Sequence, residues 1–274
     1  MKSTSTWWKI LLSGLLLAGT LVANADTYQP SYSTAGFYQL SNTGRTVYNM
    51  NPAWRFYKGN IEGAEQPRFN DKDWNIVSLP DGIEYLPTEA SGCINYQGEI
   101  WYRKHFTPKE SWKGKQQFLH FEAIMGKSKI WVNGKLLGYN QGSKTAAEWD
   151  ITDVLSEGEN VVALEVYRWS SGAYLECQDM WRLSGIERDV YLYSTPKQYI
   201  ADYKVSASLD KEKYKEGIFN LEVTVEGPSA TASSIAYTLK DASGKAVLQD
   251  AINIKSRGLS NFIAFDEKKI AEVK

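Results

Sequence analysis

The sequence predicts an all-β protein built from two consecutive β-sandwich domains. First, short apolar runs separated by turn residues recur from Asn51 onward, and one example is residues 100–106, which end at Thr107-Pro108. Second, no segment has the length and 3.6-residue period of a long amphipathic helix. Third, eight of the ten tryptophans lie between Trp54 and Trp181, which indicates two domains of different composition.

Residues 1–25 have the pattern of a signal peptide. Lys2 and Lys9 give a basic start, an apolar run of about 14 residues follows, and Ala23-Asn24-Ala25 supplies the small residues of a cleavage site. The run is shorter than the roughly 20 residues of a membrane-spanning helix. We therefore expect cleavage after Ala25, a secreted or periplasmic protein, and no membrane attachment after cleavage. Residues 26–50 are polar, lack a period and are interpreted as a leader segment.

The first domain is predicted at residues 51–195, and its strongest local signal is a β-hairpin. Residues 129–137 read Lys-Ile-Trp-Val-Asn-Gly-Lys-Leu-Leu. Asn133-Gly134 favours the positive φ angles of a type I′ turn, whose twist matches two antiparallel strands. Residues 161–167 and 189–193 are predicted as further strands of the same domain.

The second domain is predicted at residues 196–274 as an incomplete immunoglobulin-like β-sandwich. Its strands are expected at residues 203–209, 219–225, 234–239 and 246–248. The segment has roughly 75 residues, whereas a complete domain of this type has about 100. The chain is therefore expected to be truncated inside this domain. Phe219, Leu221 and Val223, or the residues that alternate with them, are expected to be partly exposed.

The net charge and the small number of cysteines and histidines limit which classes of partner and site the sequence supports. Removal of residues 1–25 takes away two lysines and no acid, so the formal net charge changes from -1 to -3, which gives no reason to expect a nucleic-acid partner. Cys93 and Cys177 could pair in an oxidising compartment. Two separately buried thiols are the favoured alternative, because the sequence does not place them within bonding distance. With His105 and His120 they form no metal-ligand spacing.

No self-sufficient enzymatic motif is found in the sequence. There is no Gly-x-Ser-x-Gly elbow, and Gly126-Lys127-Ser128 lacks the first glycine of a phosphate loop. Glycoside hydrolysis needs two carboxyl groups placed across one sugar bond. Glu176, Asp179 and Glu187 lie near one loop, but a group of acids near a turn is common. We therefore assign no catalytic residue in this chain.

Residues 169–186 are the most informative segment, a loop between two strands that combines aromatic rings, acids, a glutamine and an arginine. Flat apolar rings beside hydrogen-bonding groups are what a sugar contact needs. A loop that folds onto its own sandwich, with Arg182 bound to an acid, would have the same composition. The residues leave both interpretations open.

This loop and several upstream segments contain an ordered set of short motifs: Pro87-Thr88-Glu89, Trp101-Tyr102-Arg103, Trp131-Val132-Asn133-Gly134, Asp150-Ile151-Thr152, Gly158-Glu159-Asn160, Arg168-Trp169-Ser170, Tyr174-Leu175-Glu176, Gln178-Asp179-Met180-Trp181-Arg182, Ser184-Gly185-Ile186 and Arg188-Asp189-Val190. Together these motifs closely resemble the family 2 glycoside hydrolases of β-galactosidase type. The resemblance covers residues 51–193 and continues into the second domain.

In the family that this chain resembles, a jelly-roll domain and an immunoglobulin-like domain precede a (β/α)8 barrel that holds both catalytic glutamates. The resemblance implies that residues 51–195 are the jelly-roll, sugar-binding domain and that this chain lacks the barrel. The implied function is non-catalytic support for the hydrolysis of terminal β-galactosides. The implied partners are a β-galactoside or related glycan and the catalytic barrel.

The resemblance implies a substrate-binding site around Asp179. In these enzymes the aspartate of the Gln-Asp-Met-Trp-Arg motif contacts the sugar and, in some members, a sodium ion, and a carboxylate suits both ligands. Trp181 and Arg182 of the same motif, and Glu89 of an upstream loop, are expected to support the site. Where well-known members place an asparagine directly after that glutamate, this chain has alanine, which leaves Asn95 as the substitute. The two loops must then lie side by side.

Two functions remain open from the sequence. The first is a fragment or truncated product of a β-galactosidase-like enzyme, and the second is a stand-alone carbohydrate-binding or accessory protein. They differ in whether downstream coding sequence continues the second sandwich into a barrel.

Overall fold

The computed structural model describes residues 44–83, 96–176, 183–211, 214, 216–228, 234–253 and 266–271. These residues belong to two compact units. The first contains Val47–Glu110 and Phe118–Tyr193, and the second contains Leu40–Thr46, Ser111–Gln117 and Ser194–Lys274. The all-β prediction is confirmed, since the α-helix α1, Ser171–Leu175, has only five residues. No helix among the described residues is long and apolar enough to cross a membrane.

The larger sheet of the first unit has six antiparallel strands. Their bounds are β2 Trp54–Lys58, β3 Asn75–Val77, β5 Glu99–Phe106, β8 Lys127–Val132, β9 Lys135–Asn140 and β11 Asn160–Tyr167. The order across the sheet is β3-β2-β5-β11-β8-β9. The strands predicted from residues 100–106 and 161–167 are therefore neighbours, paired along their whole length from Tyr167 opposite Glu99 to Asn160 opposite Phe106.

The second sheet has four strands, and a third sheet is much smaller. The four strands are β1 Thr46–Asn49, β6 Gln116–Phe121, β10 Ala147–Asp150 and β13 Val190–Thr195, in the order β1-β13-β6-β10. The three short strands are β4 Asp81–Gly82, β7 Ile124–Met125 and β12 Gly185–Ile186, with β12 in the centre. No strand was expected in residues 26–50, but β1 lies inside that interval.

The core of the first unit lies between the two larger sheets. Trp54 of β2 is fully buried, and its ring lies 6.4 Å from Tyr102 of β5 and 6.2 Å from Phe121 of β6, measured between centroids. The Trp54 indole also donates a 2.6 Å hydrogen bond to Met50 O, so its polar atom is not stranded in the core. Lys104 follows Tyr102 on the same face of β5 and is also buried, at 1% exposure.

The predicted hairpin joins β8 to β9. Asn133 has a φ of 52° and Gly134 a φ of 79°, which are the angles of a type I′ turn. The Asn133 side chain also ties this turn to the neighbouring strand: its Nδ2 donates to Val154 O at 2.8 Å, and its Oδ1 accepts from Val161 N at 3.0 Å. The turn is thus set by local sequence and reinforced by tertiary contacts.

A segment between β2 and β3 covers the outer face of the six-stranded sheet. We call residues 59–74 the covering segment. Its Ala64 and Trp74 are buried against Trp101 of β5 and Ala163 of β11. On the sheet, Trp101 also stacks on Trp131 with ring centroids 5.5 Å apart. These residues form an apolar cluster separate from the core between the sheets.

The second unit has two antiparallel sheets. The three-stranded sheet has the order β14-β15-β18, and the two-stranded sheet pairs β16 with β17. Their bounds are β14 Tyr199–Leu209, β15 Glu216–Glu226, β16 Ser234–Lys240, β17 Ala246–Asn253 and β18 Asp266–Ala271.

Of the two sets of β15 residues expected to be partly exposed, Phe219, Leu221 and Val223 are buried, and the residues that alternate with them are the partly exposed ones. The exposures of the buried three are 8%, 9% and 4%, because Ile235, Tyr237, Leu239 and Leu248 of the two-stranded sheet pack against them. The exposed apolar residues lie instead on β14. Tyr203 and Val205 pair with Val223 and Leu221, so they share the same face of the sheet, yet they are 69% and 51% exposed. The two-stranded sheet therefore covers β15 and leaves β14 open.

Candidate functional site

Both segments that carry the predicted site lie outside the described residues. We call residues 84–95 the upstream candidate segment and residues 177–182 the downstream candidate segment. They contain the five predicted substrate-binding residues, Glu89, Asn95, Asp179, Trp181 and Arg182, and both cysteines, Cys93 and Cys177. The roles of these residues, and a disulfide, therefore stay predictions.

The residues that bracket the two candidate segments are hydrogen-bonded to each other. Ile83, directly before the upstream segment, donates its N–H to Ser184 O at 2.9 Å, and Ser184 lies two residues after the downstream segment. Gly98, three residues after the upstream segment, accepts a 3.0 Å bond from Arg168 N. The bond between Ile83 and Ser184 therefore joins residues next to one end of each segment, whereas Arg168 lies nine residues before the downstream segment.

The small sheet fixes one of these two connections. Gly185 of β12 pairs with Gly82 of β4 on one side and with Met125 of β7 on the other. Gly185 has a φ of 124°, and a Cβ there would lie 2.6 Å from Asp81 O. This close approach explains why the Ser184-Gly185-Ile186 motif needs glycine at its centre. Ser184 adds a 2.9 Å hydrogen bond from its hydroxyl to Met125 O.

Helix α1 leads into the downstream segment and carries an exposed apolar patch. Tyr174 is 75% exposed and Leu175 is 84% exposed, while Trp169 is 38% exposed. The Trp169 ring lies 5.8 Å from the Tyr174 ring, and the buried Arg168 guanidinium lies 4.6 Å from the Trp169 centroid. Large aromatic side chains at the surface are typical of contacts with ligands and partner proteins.

A small cavity lies beneath this patch. Its volume is about 30 Å³, which is room for one water molecule. The lining includes both polar and apolar groups: Met125, Gly126, Ser143, Arg168, Glu176 and Leu183. Ser143 connects its two sides, because its N–H donates to Glu176 Oε1 at 3.2 Å and its hydroxyl accepts from Gly126 N at 3.2 Å.

Two of the three acids near the loop have protein partners. Glu176 accepts the Ser143 N–H, and Glu187 forms an ion pair with Lys144. The third, Asp179, lies in the downstream candidate segment. Within the ranges that the structure describes, no group of three or more His, Cys, Asp or Glu side chains could hold a metal ion. The described acids thus bind neighbouring parts of the protein.

Comparison with known proteins identifies the first unit. Residues 69–196 match the model of the glycosyl hydrolases family 2 sugar-binding domain, a range that includes both candidate segments. A β-galactosidase of Priestia megaterium is 36% identical over 203 residues, and one of Clostridium acetobutylicum is 38% identical over 251 residues. These alignments cover 65% and 82% of this chain. The chain carries the N-terminal sugar-binding domain of glycoside hydrolase family 2.

Solved structures of family 2 enzymes have the same fold. A β-glucuronidase of Bacteroides uniformis superposes with a TM-score of 0.68 over 84% of this chain, at 23% identity. Another structure, of a β-glucuronidase from glycoside hydrolase family 2, gives a TM-score of 0.65 over 86% of the chain, also at 23% identity. At such identity the likeness concerns the fold alone.

The family 2 chain described here spans a minor part of the length of its relatives. It covers 19% of the Priestia megaterium β-galactosidase, 27% of the Clostridium acetobutylicum one, and 28% of the Bacteroides uniformis β-glucuronidase. The activity that those names describe belongs to proteins about three times as long as this chain.

Proposed function

We propose that the chain is the non-catalytic N-terminal portion of a secreted family 2 glycoside hydrolase of β-galactosidase type. In that enzyme it supports the hydrolysis of terminal β-galactosides by a catalytic barrel. The main support is the 2.9 Å hydrogen bond from Ile83 N to Ser184 O, which joins residues next to both candidate segments inside the matched sugar-binding domain. Two segments that leave the fold side by side can reach one sugar subsite.

The choice of a β-galactoside follows the sequence relatives. Relatives at 36–38% identity are named β-galactosidases, whereas the β-glucuronidase structures share only 23% identity with this chain. In the proposed site the Asp179 carboxylate accepts hydrogen bonds from sugar hydroxyls and can bind a sodium ion in the complete enzyme. Glu89, Asn95, Trp181 and Arg182 supply further contacts.

The proposed partner surface for the barrel is the apolar patch of Trp169, Tyr174 and Leu175. All three side chains are exposed in this chain and directly precede the downstream candidate segment. A barrel packed on this patch would bury the rings and bring its own carboxylates to the sugar. The inner face of β14, with Tyr203 and Val205 exposed, is consistent with a second domain that needs further strands.

The proposal is tested by activity and binding measurements on purified residues 26–274. We expect no turnover of a nitrophenyl galactoside, and galactose binding that is millimolar or weaker, about -4 kcal/mol at best. Chemical shift perturbation by galactose should vanish in Asp179→Ala and persist in Asp153→Ala, a matched change of an exposed aspartate. Turnover that Asp179→Ala or Glu176→Ala abolishes would refute a non-catalytic chain. Tight binding that survives Asp179→Ala would place the sugar elsewhere.

Export is tested separately. The mass of the exported protein should correspond to a first residue at Asp26, as the cleavage site after Ala25 predicts. An exported form that retains Lys2 would refute the signal peptide.

A further inference from the structure

His105 has a carboxylate at each of its two ring nitrogens. Its Nε2 lies 2.8 Å from Asp71 Oδ2, and its Nδ1 lies 3.2 Å from Glu159 Oε1. A neutral imidazole has one N–H and can donate to only one carboxylate, whereas an imidazolium donates to both. The observed geometry is therefore that of the protonated ring.

The three partners come from different parts of the first unit. Asp71 belongs to the covering segment, His105 to strand β5, and Glu159 to the loop directly before β11. The Asp71 side chain is nearly buried at 7% exposure, that of His105 is 27% exposed, and that of Glu159 is 63% exposed. The contact between His105 and Asp71 is thus sheltered from water, whereas the contact between His105 and Glu159 is open to it.

We propose that His105 is a proton-dependent latch for the covering segment. In its protonated form it joins Asp71 of that segment to Glu159 on the far side of β5. Loss of the proton leaves one N–H, which stays on the shorter and more buried contact with Asp71. Glu159 is then released, the link to Asp71 weakens, and the covering segment protects the Trp74 and Trp101 cluster less well.

Other charges near the ring determine how far the latch can open. Arg103 on β5 donates from Nε to the same Asp71 oxygen at 2.7 Å and from Nη1 to Ala64 O. On β2, Arg55 lies opposite Arg103 and donates to Lys72 O of the covering segment. On β11 the residue paired with His105 is Val161, which carries no charge. Because Arg103 and Arg55 stay charged, deprotonation of His105 loosens the segment without detaching it.

The pKa directions give the pH range of the effect. The hydrogen bond to Asp71 raises the pKa of His105 above 6.5 and outweighs the opposing effect of burial. Burial by itself raises the pKa of Asp71. The hydrogen bonds from His105 and Arg103 outweigh this effect and lower the pKa from 3.8 to about 2. The stabilisation that protonated His105 contributes is therefore complete below pH 6.5 and is lost as the pH rises through the raised pKa of His105. The stabilisation that ionised Asp71 contributes is lost only in strong acid, as the pH falls through its lowered pKa.

The test combines histidine NMR titration with hydrogen exchange. His105 and His120 are the only histidines, so His120→Gln assigns both ring signals. It is also the matched control, because His120 bonds a single carboxylate, with Nδ1 2.8 Å from Glu148 Oε2. In the wild type and in His120→Gln, protection factors of amides in residues 59–74 should fall about five- to tenfold between pH 5.5 and 8, the effect of losing one ordinary hydrogen bond. In His105→Gln they should not change with pH.

A second variant covers the case in which His105→Gln does not fold. Glu159→Gln changes an exposed side chain and leaves the Asp71–Arg103 bond in place. It should lower the pKa of His105 and reduce protection of residues 59–74 at pH 5.5 but not at pH 8. A His105 pKa at or below 6.5, or the same loss of protection with pH in every variant, would overturn the latch.

Discussion

Substitution of Lys104 by methionine tests the cost of a charge inside the sandwich. Lys104 is 1% exposed on the inner face of β5, and its ammonium donates to Pro52 O. Burial lowers its pKa from 10.5 to about 8. This lowering of the Lys104 pKa corresponds to about 3 kcal/mol, which is the cost of keeping the ammonium protonated in the fold at neutral pH.

Methionine keeps the length of the side chain and removes the charge. The loss of the bond to Pro52 O costs about 1–3 kcal/mol, so a net stabilisation of about 1 kcal/mol is expected at pH 7. The wild type should gain stability as the pH rises from 8 to 10.5, because the unfolded chain then holds the extra proton. The methionine variant should lack that gain, so its advantage should disappear at high pH and reverse.

Urea unfolding followed by circular dichroism at pH 7 and pH 10 measures both effects. Lys135→Met, at the exposed first position of β9, is the matched control and should follow the wild type at both pH values. A difference between Lys104→Met and the wild type that stays constant between pH 7 and pH 10 would refute the assignment of a lowered pKa to Lys104.

Three further predictions use the same unfolding measurement. Asp71→Asn should cost about 3–5 kcal/mol, because it leaves the buried Arg103 without its carboxylate, whereas the exposed Asp73→Asn should cost little; equal effects would contradict the buried ion pair. Gly134→Ala should cost about 1–2 kcal/mol, since its φ is 79° and a Cβ would lie 3.0 Å from Pro67, while Gly158→Ala has open space and serves as the control. Val205→Thr should change stability by less than about 0.5 kcal/mol, and a larger loss would show that the β14 face is covered.

The strands were predicted best where the apolar alternation and the residues of the adjoining turn both indicate the same structure. Asn133-Gly134 predicts its hairpin because the residues themselves favour positive φ. The polar strand β1 was missed because its four residues show no apolar alternation, and its place in the sheet comes from pairing with β13. The sequence also left open whether Phe219 or its alternates are buried, since that depends on where the two-stranded sheet lies.

The candidate site was only partly predictable for similar reasons. The motifs around Gly185 could be recognised by resemblance, but β4 and β12 have two residues each and are too short to show a period. Their pairing, which joins the candidate segments, needed the structure. Arg103 and Lys104 are adjacent and therefore point to opposite faces of β5, so one of them had to face the core. Both are buried, and nothing in the pattern indicates that Asp71, 32 residues earlier, neutralises Arg103.

The shared base of the two candidate segments has a consequence for mutagenesis and evolution. Because Ile83 and Ser184 are bonded to each other, a displacement of one segment is transmitted to the base of the other. Substitutions in the two segments should then be energetically coupled rather than additive. A change at Gly185 would disturb the pairing of β12 with β4, next to the ends of both segments. Compensating changes for a defect in one segment are therefore to be sought in the other.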